Sequence, residues 1–125
     1  MSEDNDRFIY RRLSDAELHI YQQQGYHHYG PILTEKGLRQ MRDESMAVWR
    51  AEKGDFDASK TWLENSLLPE VHHNSQLVRD YYFTGPLVDV AEQIIGPNIK
   101  GVTTQLTFKM RGNSKPFPWH QDNGY

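Results

Sequence analysis

His120 and Asp122 stand two residues apart in the run Trp119-His120-Gln121-Asp122-Asn123-Gly124-Tyr125. In an extended segment, side chains two apart project to the same side, so this imidazole and carboxylate can converge on one ion. With one further His such a pair makes a facial triad, which keeps coordination positions open for oxygen chemistry on Fe(II). The same pair is equally at home in an exposed turn, so its meaning depends on its surroundings. The chain contains no cysteine, which excludes disulfide frameworks, thiolate zinc sites, iron–sulfur clusters and Cys nucleophiles. Any metal must then be held by His and carboxylates. His19, His27, His28, His72 and His73 all precede the pair. Within each adjacent couple, His27-His28 and His72-His73, the two rings are expected to point apart, as surface or core-edge histidines.

The elements that would position His120 and Asp122 change character along the chain. Up to about residue 96 the signals are helical. Ser14-Asp15-Ala16-Glu17 is a capping box, with Leu18 and Tyr21 on one face of the helix it opens and Gly25 as its stop. Tyr26 to Leu33 predicts a short strand or extended link, broken at Gly30-Pro31. Thr34 caps a second helix, in which Leu38, Met41, Ser45, Val48 and Trp49 form the inner face, and Gly54 ends it. Trp62, Leu63, Leu67 and Leu68 make a short apolar cluster interrupted by Pro69. Asn74 or Ser75 caps a helix through Val78, Tyr81 and Tyr82 to Gly85, and Pro86 opens another that carries Leu87, Val90, Ala91 and Ile94 to Gly96. From Ile99 to Met110 the period becomes two. Val102, Thr104, Leu106, Phe108 and Met110 share one face, with Thr103, Gln105, Thr107 and Lys109 on the other, which predicts a strand packed on the helices.

The chain has 125 residues, room for one domain or a piece of one. Hydrophobic residues are 37% and aromatics 12% of the chain, enough to bury a core, although the mean hydropathy of −0.81 describes a very polar surface. Fourteen Lys and Arg against seventeen Asp and Glu give a net charge of −3, with the basic residues scattered, so neither a nucleic acid nor an anionic membrane surface is expected as partner. No stretch approaches the ~20 apolar residues of a membrane span, and the acidic start lacks the apolar core of a signal peptide. A cytoplasmic address and a flexible stretch over residues 1–13 are the expectations.

Trp119 to Tyr125, preceded by Gln105-Leu106-Thr107-Phe108-Lys109, resembles the phytanoyl-CoA dioxygenase-like family of Fe(II)- and 2-oxoglutarate-dependent oxygenases. The Gly25 to Leu33 segment and the helix from Thr34 resemble the family's opening. The resemblance implies an α+β fold leaning to all-β, a double-stranded β-helix (jelly roll, cupin-like) with N-terminal packing helices. This chain would supply the mostly helical N-terminal part and the first core strands. His120 and Asp122 match the proximal two iron ligands, and Lys109 matches a position that often contacts the co-substrate. An ammonium on the polar strand face is also chemically suited to a 2-oxoglutarate carboxylate. Gln105, on the same face, is a candidate for co-substrate or substrate contact; of the two candidate substrate contacts Trp119 and Tyr125, Trp119 is placed beside the metal strand and Tyr125 at the substrate mouth.

The implied cofactors are Fe(II), 2-oxoglutarate as co-substrate and O2. The implied reaction is hydroxylation of an unidentified small organic or acyl molecule, coupled to oxidative decarboxylation of 2-oxoglutarate. A carboxylate at 122 favours hydroxylation over halogenation, since the resembling halogenases replace it. In such enzymes a distal His and an Arg that anchors 2-oxoglutarate follow the motif, and neither His nor Arg follows Asp122 here. Residues 1–125 are therefore expected to be a single incomplete domain, the N-terminal portion of a longer enzyme and inactive alone. Two other classes stay open: a divalent-metal hydrolase, which needs a further His or carboxylate cluster, and a non-catalytic helical interaction module.

Overall fold

A computed structural model describes residues 6–109, 111–112 and 115–122. Among the described residues, five helices and two short strands follow in the order α1 (Asp15–Gln24), α2 (Glu35–Glu52), α3 (Trp62–Ser66), β1 (Leu67–Pro69), a 3-10 turn (Val71–His73), α4 (Gln76–Thr84), α5 (Pro86–Ile95) and β2 (Gln105–Thr107).

The helix ends follow from local chemistry. Ser14 accepts the Glu17 amide and Glu17 returns to the Ser14 amide, while Gly25, at φ 79°, closes α1 in the left-handed region that favours glycine. Thr34 accepts the Gly37 amide at the head of α2, and Ser75 accepts that of Val78 at the head of α4. Pro86 occupies the first turn of α5, where its missing N–H costs nothing. Thr61 and Glu64 form a second capping box, on α3.

The core lies where α2 and α4 meet the strand pair. Val48 and Trp49 from α2, Leu68 from β1, Val71 from the 3-10 turn and Val78 from α4 form one buried cluster, with Met41, Leu106 and Phe108 packed against it. The Trp49 and Phe108 rings are 3.9 Å apart between centroids. Strands β1 and β2 are antiparallel, in the register Leu67 to Thr107, Leu68 to Leu106 and Pro69 to Gln105. Leu68 and Leu106 thus sit opposite each other on the inner face, which is the side the alternation assigned to Leu106 and Phe108.

Three expectations are corrected. The strand predicted over Ile99 to Met110 is strand only at Gln105–Thr107, because its partner β1 is three residues long: the Glu70 amide still reaches the Thr104 carbonyl, but Glu70 then turns into the left-handed region at φ 57° and the chain leaves the ladder. Val102 is accordingly 69% exposed. Leu38 is 48% exposed, and the buried residue of that first turn of α2 is Gly37, pressed against the Arg7 backbone. Of the two readings of Tyr26 to Leu33, the extended link is the one found, joined to the N-terminal stretch by a single bridge, Leu33 to Phe8.

The third correction concerns the stretch over residues 1–13 expected to be flexible, of which Arg7 to Leu13 is a packed strap. Phe8 and Leu13 are buried, and the Ile9 amide donates to the Ile32 carbonyl at 2.9 Å. Gln93 of α5 donates to the Leu13 carbonyl and accepts from its amide, and the Tyr10 hydroxyl donates to the Thr84 carbonyl. Phe8, Ile9, Tyr10 and Leu13 stand among three Arg, and burying Phe8 and Leu13 docks the segment. Among the described residues, no helix is long and apolar enough to cross a membrane.

Candidate functional site

Residues 115–122 run beyond β2 with every side chain exposed, held to the body where Phe117 meets the Trp62 indole edge-on at 4.9 Å. Pro116 and Pro118 bias this run to extended backbone. In it His120 and Asp122 do share a side: Nε2 of His120 lies 3.4 Å from Oδ1 of Asp122. Nδ1 of His120 is 2.8 Å from the Pro118 carbonyl oxygen, which can only accept. The Nδ1 proton is therefore the one donated, and in the neutral ring Nε2 carries the lone pair beside the carboxylate. Two donors each about 2.1 Å from one ion lie roughly 3.0 to 3.4 Å apart, so the pair has the bite of a metal chelate. A backbone carbonyl holding the far ring nitrogen is the usual way a ligating His is oriented.

Lys109 leaves β2 on the exposed face with its ammonium 5.9 Å from the Phe117 ring centroid, so the cation and the His-x-Asp run are tied to one aromatic residue. Gln105 opens β2 with its side chain exposed. Trp119 is fully exposed. Tyr125 lies outside the described residues, as does Met110. A groove of about 410 Å³ between α4, α5 and residues 99–101 is lined by Tyr82, Leu87, Ile95 and their neighbours and includes none of these side chains.

A second set of donors was missed by the sequence reading. Glu70, His72 and His73 each place one potential ligand atom within 4.8 Å of the others. The two rings, expected to diverge, are 4.2 Å apart between centroids. The expectation assumed regular backbone. Instead Glu70 adopts φ 57° and ψ 35°, and a 3-10 turn follows, which eclipses positions 70 and 73 and folds the carboxylate over both imidazoles. The available signal was Glu70-Val71-His72-His73, three metal-type donors within four residues just after Pro69.

Comparison of the chain with protein-family models, with curated proteins and with solved structures finds no match.

Proposed function

We propose that the protein belongs to a non-haem Fe(II)- and 2-oxoglutarate-dependent dioxygenase of the phytanoyl-CoA dioxygenase-like kind, hydroxylating a small organic or acyl substrate, with a jelly roll as the fold of the catalytic core. The observation that carries this reading is the His120 and Asp122 pair, 3.4 Å apart, with its tautomer set by the Pro118 carbonyl. Neutral imidazole and carboxylate are the donor types that suit Fe(II), and exposure of both leaves room for further ligands on the ion. Bound there, iron would supply oxygen activation for hydroxylation. Asp122 would contribute the charge that holds a divalent ion, His120 the directional nitrogen. Lys109, a cation on the open face of β2, would pair with a co-substrate carboxylate. The resemblance of residues 105–109 and 119–125 to the family supports the same roles.

The test is the visible charge-transfer absorption of an anaerobic Fe(II) and 2-oxoglutarate chelate on the protein. The band should form with the unaltered protein and vanish in His120→Ala and in Asp122→Ala. No band with the unaltered protein, or an undiminished one in His120→Ala, would overturn the assignment.

A further inference from the structure

The Glu70 carboxylate is held as if to present one oxygen. The Thr103 hydroxyl donates to Oε1 at 2.7 Å, and the Glu70 amide donates to the Thr104 carbonyl at 2.6 Å. Oε2 then faces two imidazoles, 3.6 Å from Nδ1 of His72 and 3.9 Å from Nε2 of His73. Both spacings are too long for hydrogen bonds, so the three groups converge without satisfying one another. Two donors each about 2.1 Å from a tetrahedral ion lie roughly 3.4 Å apart; both contacts to Oε2 are close to that spacing, and all three donor atoms lie within 4.8 Å of one another. His72 is 8% exposed and fixed on all sides. Its carbonyl accepts from Arg79 Nε at 3.2 Å, its amide donates to Thr104 Oγ1 at 3.2 Å, and its ring lies against Tyr82. Thr104 Oγ1 is also 2.7 Å from Nδ1, and a metal at that nitrogen would take the hydroxyl's place. Glu70 is the one non-glycine residue with positive φ among the described residues, a backbone cost that puts its carboxylate over the turn.

We propose that Glu70, His72 and His73 form a metal site, separate from His120 and Asp122, for a divalent transition ion of the zinc type. Two imidazoles and one carboxylate favour Zn(II) or Co(II) over Mg(II) or Ca(II), which take all-oxygen sets, and leave a fourth position for water. Such an ion would tie the end of β1 to the head of α4 and, through Thr103 and Thr104, to the approach to β2.

The proposal is tested in the His120→Ala/Asp122→Ala double variant, so that the outcome does not depend on the oxygenase reading. Co(II) titration should show one equivalent bound, with the strong d–d absorption of a four-coordinate site, displaced by Zn(II). Adding His73→Ala or Glu70→Gln should each weaken Co(II) binding about ten-fold or more. The His73 ring is 60% exposed, so its removal leaves the core closed, and a thermal melt without metal should match that of the double variant. Absence of Co(II) binding in the double variant, or binding that either added substitution leaves unchanged, would overturn the proposal.

Discussion

Glu17 shows how much one residue can organise without being buried. Its carboxylate takes two hydrogen bonds from Arg11, at 2.9 and 3.0 Å, one from the Ser14 amide at 2.9 Å, and lies 3.0 Å from His27 Nε2. The Arg11 guanidinium first, then the Ser14 amide and His27, hold its acidity far below the ordinary value of 4.5. Because the folded value is the lower one, the stabilisation is complete above about pH 4.5 and is lost as the pH falls toward the folded value. Glu17→Gln should therefore lower stability at neutral pH and flatten the decline below pH 4.5, as followed by urea unfolding at stepped pH. Lys109 makes the complementary case for function. Removing one charge-assisted hydrogen bond costs roughly 1.5 to 3 kcal/mol, so Lys109→Met should weaken 2-oxoglutarate binding about ten- to hundred-fold, measured through the charge-transfer band. Lys109→Arg should restore part of it, because the charge returns on a wider, planar group. Unchanged affinity in Lys109→Met would mean that this face of β2 looks away from the co-substrate.

At the scale of elements, what was legible in the sequence was whatever a few neighbouring residues decide. Ser14 with Glu17, Thr34, Ser75, Pro86 and Gly96 mark helix ends because capping is settled within one turn. Strand β1 was not legible, since Leu67-Leu68-Pro69 is too short to show alternation and exists through its partner Leu106 and the core beneath. The convergence of Glu70 with His72 and His73 was hidden for a related reason, because a left-handed Glu followed by a 3-10 turn breaks the periodicity from which side-chain directions are read. His120 and Asp122, by contrast, follow Pro116 and Pro118, which bias the run to extended backbone, and their side chains meet on one side as the two-residue period requires. Gly37 is the test of element packing. In an ordinary helix interior, Gly→Ala stabilises by about 1 kcal/mol. Here an added Cβ would stand 2.0 Å from the Arg7 carbonyl oxygen, a backbone atom that cannot rotate away. Overpacking of this kind costs roughly 1 to 3 kcal/mol, so the clash should win and Gly37→Ala should melt at a lower temperature than the unaltered protein. An equal or higher melting temperature would show that the strap over α2 yields freely.

On the scale of the whole molecule, the helical body and the candidate iron ligands are physically distinct. The body is closed around Val48, Trp49, Leu68, Val71 and Val78, whereas residues 115–122 are exposed throughout and meet it at Phe117 and Trp62. Such a layout puts the cost of organising His120 and Asp122 on local backbone bias and on the Pro118 carbonyl, with little drawn from the core. The three tryptophans report on this division directly. Trp49 is 5% exposed beneath Phe108, while Trp119 is fully exposed one residue before His120. In the Trp49→Phe/Trp62→Phe protein, emission comes from Trp119 alone and should be red-shifted and freely quenched by acrylamide. In the Trp62→Phe/Trp119→Phe protein, emission should be blue-shifted and quenched several-fold less. Co(II) quenches an indole held close to it, so adding it to the first protein should dim Trp119, and His120→Ala should abolish the effect while Glu70→Gln leaves it intact. Equal quenching with and without His120 would show that the ion does not settle beside Trp119, and the chelate assigned to His120 and Asp122 would be wrong even if the fold is right.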